Sequence, residues 1–244
     1  MSFNLKYKPY GEYAILIEWP SKIQEDILYD ILKFKHKIIA ENIDGILELK
    51  SAYNSLLVVC DKEISDLKSI GDRLKTIYTK EEVKDAGVDS VTWIIPVCYD
   101  FSFGLDLKQL SEEKNITVEE IIKKHSETIY TVYFVGFLPG FLYLGGLDDI
   151  LHTPRKAMPR MQIEKGAVAI GGKQTGIYPV QSPGGWNIIG NTPVSFFDPQ
   201  KETPCFAKAG DKIVFKPITL KAYGDIKILA DAGVYQIEIE NGHD

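Results

Sequence analysis

The sequence predicts an α+β protein, with a small N-terminal α/β sandwich domain over residues 1–88 followed by a β-barrel domain over residues 89–244. Three observations carry this. Strand-like runs and two amphipathic stripes interleave up to residue 78, short β-like runs broken by Gly and Pro dominate after residue 128, and the polar stretch TKEEVKDAG at 79–87 separates the two patterns.

FNLKYK (3–8) and YAILIEW (13–19) flank Pro9-Tyr10-Gly11-Glu12 and read as a hairpin. Ser21 stands where it would cap a helix whose Ile23, Ile27, Ile31, Phe34 and Ile38 share one face. GILELK (45–50) and SLLVVC (55–60) are strand-like, and Ile64, Leu67, Ile70, Leu74 and Ile77 mark a second helix. The order ββαββα predicts a small open sheet with both helices on one face. VTWIIPVCY (91–99) is a further strand, Asp106 and Leu107 open a short helix, and Thr117-Val-Glu-Glu120 is a capping box for another that reaches Lys124 and closes at His125. From IYTVYFVGF onward, AVAIGG, GIYPV, NIIG, VSFFD, DKIVFKPI and VYQIEIE read as the short strands of a compact barrel.

Composition removes several classes of function. The 244 residues are 45% hydrophobic, enough for a core without disulfides. A net charge of −6 argues against binding a phosphodiester backbone, so nucleic acid is not an expected partner. Apolar runs such as VTWIIPV fall short of the ~20 residues of a spanning helix, so no membrane is expected. MSFNLKYKPYGEY lacks an apolar export segment, and Cys60, Cys98 and Cys205 are widely spaced, which together predict a cytoplasmic protein. His36, His125, His152 and His243 have no paired spacing, and no metal site is expected. Ser182 lies in S-P-G-G-W rather than a nucleophile elbow. Gly172-Lys173 resembles the end of a P-loop, but Ala167 and Gln174 stand where that motif needs Gly and Ser or Thr.

Residues 125–195 hold 11 of the 20 Gly and 6 of the 12 Pro, a concentration of special backbone geometry in less than a third of the chain. Its centre is GAVAIGGKQTGIYPVQSPGGWNIIGNTP, 166–193. Gly171-Gly172-Lys173-Gln174-Thr175-Gly176 is predicted to turn backbone N–H groups inward as a nest, with Lys173, Arg155, Lys156 and Arg160 supplying cations for a phosphate or carboxylate. Plainer readings stand beside it. Arg155 and Arg160 would pair with Asp148 and Asp149, the rings of Phe137, Phe141, Tyr178 and Trp186 and the side chain of Leu144 would be core, and His125 would only meet the negative end of its helix dipole.

VCYDFSFGLDL (97–107), HS (125–126), GFLPGFLYL (136–144), PRKAMPR (154–160), the 166–193 stretch and FDP (197–199) resemble the KipI family, which is also the family of the 5-oxoprolinase B subunit and is related to the first-subunit domain of allophanate hydrolase. The resemblance runs in order from YGEYAILIE to GDKIVF (210–215). It implies that the C-terminal barrel is cyclophilin-like. It also implies that the chain is one component of an ATP-dependent enzyme that opens 5-oxoproline to glutamate, inactive alone and acting with an A subunit and a KipA-like C subunit. ATP and Mg²⁺ are then expected in the complex. In that frame His125 and Lys173 are the expected catalytic residues, His125 as acid or base. Arg155, Arg160, Gly172, Gln174, Thr175, Gly176, Tyr178, Ser182, Gly184, Gly185, Trp186 and Asn187 are the expected binding residues. Lys156, Gly171-Gly172 and Asn191 depart from the family's usual Arg, Ala-Gly and Arg, the last removing a forked guanidinium. The alternative the family offers is inhibition of a sensor histidine kinase, with Phe137, Pro139, Phe141 and Trp186 as the docking surface.

Overall fold

A computed structural model describes residues 3–61, 66–80 and 90–240. The chain divides into two compact units, Met1–Asp89 and Ser90–Asp244. The proposed linker positions 81–87, Ile64 of the second helical stripe, and His243 lie outside the described residues.

In the first unit β1 (Lys6–Pro9), β2 (Ala14–Glu18), α1 (Glu25–Ala40), β3 (Ile46–Ser51), β4 (Ser55–Cys60) and α2 (Leu67–Thr79) follow the expected order. The strands form an antiparallel sheet in the order β1-β2-β4-β3. Alternate residues Ile15 and Ile17 of β2 and Leu56 and Val58 of β4 meet Ile27, Ile31, Phe34 and Ile38 of α1 and Leu74 and Ile77 of α2 in one cluster, so both helices cover the same face. Ser21 does not cap α1. The Lys22 N–H donates to the Pro20 carbonyl at 2.7 Å, this tight turn delays the helix, and Gln24 becomes its N-cap.

The second unit comprises β5 (Thr92–Val97), α3 (Leu107–Lys114), α4 (Val118–Ser126), β6 (Ile129–Val135), β7 (Leu142–Gly145), a 3₁₀ turn at Asp149–Leu151, β8 (Arg160–Ile163), β9 (Ala167–Gly171), β10 (Gln174–Ile177), β11 (Ser182–Gly184), β12 (Asn187–Asn191), β13 (Lys212–Pro217), α5 (Leu220–Asp231) and β14 (Glu238–Glu240). The capping box of α4 forms in both directions: the Glu120 N–H donates to Thr117 Oγ1 at 3.1 Å and the Thr117 N–H to Glu120 Oε2 at 2.9 Å.

The unit is mixed α/β, and its main sheet is an eight-stranded array in the order β12-β9-β10-β7-β6-β13-β5-β14. Among the described residues no ladder closes it. A single bridge, with N–H···O contacts of 2.8 and 2.9 Å between Cys98 and Asn191, links the residue after β5 to the end of β12. β13 runs parallel to β5, and β14 pairs antiparallel with the other edge of β5. The helix α5 was not expected. Thr219 caps it, accepting the Ala222 N–H at 3.2 Å, and none of its residues is fully buried; Ala222, Tyr223, Ile226 and Ala230 form a half-buried stripe that Gly224 interrupts. Among the described residues no helix is long and apolar enough to cross a membrane.

Candidate functional site

Strand alternation divides the residues singled out in the sequence. Gly171 lies opposite Gln174, Ile170 opposite Thr175, Ala169 opposite Gly176 and Val168 opposite Ile177. Directly opposed residues share a face, so Gln174, Gly176, Gly171 and Ala169 look one way while Thr175, Ile177, Ile170 and Val168 look the other. The second face belongs to the main core with Leu142, Leu144 and Ile189. The first carries a separate cluster of Phe141, Ile163, Ala169, Tyr178, Trp186 and Ile188, crossed by the two-stranded ladder of β8 and β11.

His125 falls on the core side and is fully buried. Thr175 Oγ1 donates its only hydrogen to the Ala169 carbonyl at 3.1 Å, so at 2.8 Å it must accept from His125 Nε2–H. Nδ1 is then the bare nitrogen, and it accepts from the Tyr99 hydroxyl at 2.8 Å. The ring stacks on Phe215 with centroids 4.6 Å apart. Burial holds the imidazole neutral by lowering its pKa from 6.5 to about 3. Both nitrogens are committed and no solvent reaches them, which overturns the expectation of an acid or base. His125 and Thr175 are structural, because the end of α4 faces inward onto β10.

The glycines serve the indole of Trp186. A Cβ on Gly171 would lie 2.5 Å from the ring, and one on Gly176 would lie 3.1 Å from both Trp186 and Phe141. A Cβ on Gly184 would meet the Tyr178 hydroxyl at 2.3 Å, which is how β11 passes over that ring. The expected nest does not form. The Gly172 N–H donates to the Thr153 carbonyl at 2.7 Å, and Gly171 and Ile170 are paired with Gln174 and Thr175 in the ladder. Gly185 accepts the Lys156 N–H at 2.7 Å, and Asn187 Nδ2 donates to the Pro154 and Ile170 carbonyls at 3.0 and 3.3 Å.

The basic residues also separate. Arg160 forks onto Asp106 at 2.9 and 2.7 Å, and Lys156 Nζ reaches the same carboxylate at 2.8 Å. Asp106 further accepts the Ile188 N–H at 2.7 Å. Asp148 and Asp149 pair instead with Lys124 and His152. Asp106 is therefore not the capping side chain of α3 that its position suggests. It is the buried anchor for the 156–160 segment, so Arg160 leaves the list of free ligand-binding cations. Sequence reasoning missed this partner, and the one available signal was an Asp placed between Leu105 and Leu107.

What remains is an open face. The Arg155 guanidinium lies 5.6 Å from the centroid of Trp186, in cation–π range, and takes no acid among the described residues. The Thr153–Gly172 bridge brings the 153–155 segment beside Lys173, which is exposed on the β9–β10 turn with no ion-pair partner among the described residues. Gln174 Nε2 and Ser182 Oγ are buried atoms with no hydrogen-bond partner. Tyr143 and Tyr178 flank Phe141 at centroid distances of 5.0 and 5.5 Å, and burial raises the pKa of both phenols. Phe141 and Leu144 are core as the plainer reading had it, but Phe137 is exposed in the β6–β7 turn with φ +64°. The arrangement offers two uncommitted cations beside an aromatic wall, which suits a small carboxylate.

The family of the carboxyltransferase domain, subdomain C and D, matches residues 5–207. The B subunit of 5-oxoprolinase from Haemophilus influenzae is 39% identical over 207 residues, 85% of this chain and 95% of its own. The chain belongs to the KipI family, that of the 5-oxoprolinase B subunit. The B subunit of Bacillus subtilis is 34% identical over 91% of this chain and 97% of its own. The crystal structure of TTHA0988 superposes with a TM-score of 0.73 at 30% identity over 84% of this chain, which spans only 40% of that longer chain.

The Gly172 N–H is spent on the Thr153 carbonyl, and among the described residues no group of three or more His, Cys, Asp and Glu side chains is placed to hold a metal ion.

Proposed function

We propose that this chain is the B subunit of a cytoplasmic ATP-dependent 5-oxoprolinase, which opens 5-oxo-L-proline to L-glutamate together with its A and C subunits. The observation that carries the proposal is the pair of uncommitted cations, Arg155 and Lys173, beside the Trp186 ring. Relatives of nearly the same length that bear the B-subunit name support it.

In this reading Arg155 and Lys173 hold the carboxylate of the lactam acid, beside the edge of Trp186. The binding list is shorter than the sequence implied, because Thr175, Arg160 and Asn187 have structural partners. ATP and Mg²⁺ belong to other surfaces of the assembled complex, and this chain by itself is inactive.

Reconstitution with the A and C subunits tests this. 5-Oxoproline-dependent ATP hydrolysis should need this chain, and Lys173→Ala or Arg155→Ala should lower it at least tenfold, a loss of about 1.4 kcal/mol of transition-state stabilisation. Turnover without the chain, or undiminished turnover in both variants, would reject the proposal.

A further inference from the structure

β12 starts beside Trp186 and ends at Asn191, where a second concavity opens. Five residues of strand separate the two ends by about 15 Å, and the cavity does not border the Arg155–Trp186 face. Its volume of about 740 Å³ is in the range of small-molecule sites.

Its floor and walls are chemically specific. Asn191 and Thr192 are buried polar residues at 4% and 2% exposure. Asn191 donates one amide hydrogen to the Lys165 carbonyl at 3.0 Å and accepts the Tyr223 hydroxyl at 2.9 Å, leaving its second amide hydrogen uncommitted. Thr192 Oγ1 accepts the Val194 N–H at 3.3 Å, and its own hydrogen is unspent. Phe103 and Tyr223 form one wall with ring centroids 4.5 Å apart.

Charge narrows the ligand. Lys165, Lys201 and Lys227 line the cavity, and so do Glu164, Asp198 and Asp231. This balance gives no net field for a polyanion such as a nucleotide. Lys227 is taken by Asp231 at 3.1 Å, Asp198 accepts the Gln200 N–H at 3.0 Å, and Glu164 accepts the Gln162 amide at 3.0 Å. Lys165 and Lys201 have no hydrogen-bond or ion-pair partner for their ammonium groups among the described residues. Two unspent ammonium groups suit a single carboxylate, and the tilted aromatic pair offers a surface to a flat ring.

We propose that this cavity is a second binding site, for a small cyclic or aromatic monocarboxylate, with Lys165 and Lys201 on the carboxylate and the ring against Phe103 and Tyr223. The site stands independently of the 5-oxoprolinase reading.

The probe is benzoate, titrated into the isotopically labelled full chain and followed by amide chemical shifts, with 5-oxo-L-proline as a second ligand. Benzoate should shift residues 191–203 and 223 saturably, with Kd on the order of 1 mM. Lys165→Ala with Lys201→Ala should weaken it at least fivefold, while Arg155→Ala should leave it unchanged. Both lysines are exposed, so the double variant should fold, and a thermal melt confirms that. The same shifts with 5-oxo-L-proline, or with benzoate only, both sustain the site and decide between cyclic and aromatic acids. Absence of saturable shifts at these residues, an unchanged Kd in the double variant, or loss of binding in Arg155→Ala would overturn it. A reconstituted complex active in 5-oxoproline hydrolysis while benzoate fails to bind would end this proposal and leave the functional one intact.

Discussion

Asp106 receives both terminal nitrogens of Arg160, at 2.9 and 2.7 Å, from a position almost sealed from water. Desolvation alone would raise the pKa of that carboxyl. The hydrogen bonds from Arg160, Lys156 and the Ile188 N–H outweigh it and hold the pKa below 3.8. Removing the carboxylate leaves two cations without their counter-charge, so Asp106→Ala should cost about 3–5 kcal/mol in denaturant unfolding. A folded-state pKa below the unfolded one means that protonation favours unfolding. The contribution is intact above about pH 4 and is lost as pH falls through the folded value. Unfolding midpoints below pH 4 should therefore drop more steeply for the native chain than for Asp106→Asn.

His125→Asn should lower stability, because the Tyr99 and Thr175 hydroxyls lose a buried partner at about 1–3 kcal/mol each. Turnover of the folded complex should be retained. With the folded pKa lowered to about 3 by burial, protons bind the unfolded chain first. The His125 contribution is full above about pH 6.5 and falls toward pH 3 by up to about 1.4 kcal/mol per pH unit. Chemical denaturation of the native and variant chains between pH 7 and 4 checks the difference in slope.

Gly171→Ala places a methyl group against the indole at 2.5 Å and should cost about 1–3 kcal/mol. In a Trp186→Leu background the same change should cost much less. Four melting curves complete the cycle, and additive costs would show that the glycine is not there for the indole.

Gln174 and Ser182 carry buried polar atoms without partners, a condition that costs folding energy. Gln174→Met and Ser182→Ala should each raise stability by about 1 kcal/mol. Lower melting temperatures in both variants would point to partners these atoms already have.

The first unit is legible because its elements bury one face each: the stripes of α1 and α2 and the alternation of β2 and β4 are all consequences of one shared core. The capping box of α4 is legible because its bonds are local. Asp106 and Arg160 lie 54 positions apart, and nothing local marks either as the other's partner. The concentration of Gly and Pro does locate the Trp186 face, but its cause is ring packing rather than a phosphate nest. Period-two alternation could have separated Thr175 from Gln174, had the boundaries of β10 been known. In α5 the half-buried stripe of Ala222, Tyr223, Ile226 and Ala230 is short and interrupted by Gly224.

β5 is flanked by β13 and β14, so the strand that opens the second unit has both its neighbours at the far end of the chain. The Val91 N–H reaches the Asp211 carboxylate at 3.1 Å across 120 positions of sequence. At ribosomal speeds of about 5–20 residues per second, β5 emerges roughly 6–24 s before β13 exists, and longer before β14. During that interval its edges are open to wrong partners, and the early β6–β7 and β9–β10 hairpins form beside an unfinished sheet. A nascent chain arrested shortly after residue 207 should hold the first unit in protease-resistant form and leave residues 90–100 cleavable.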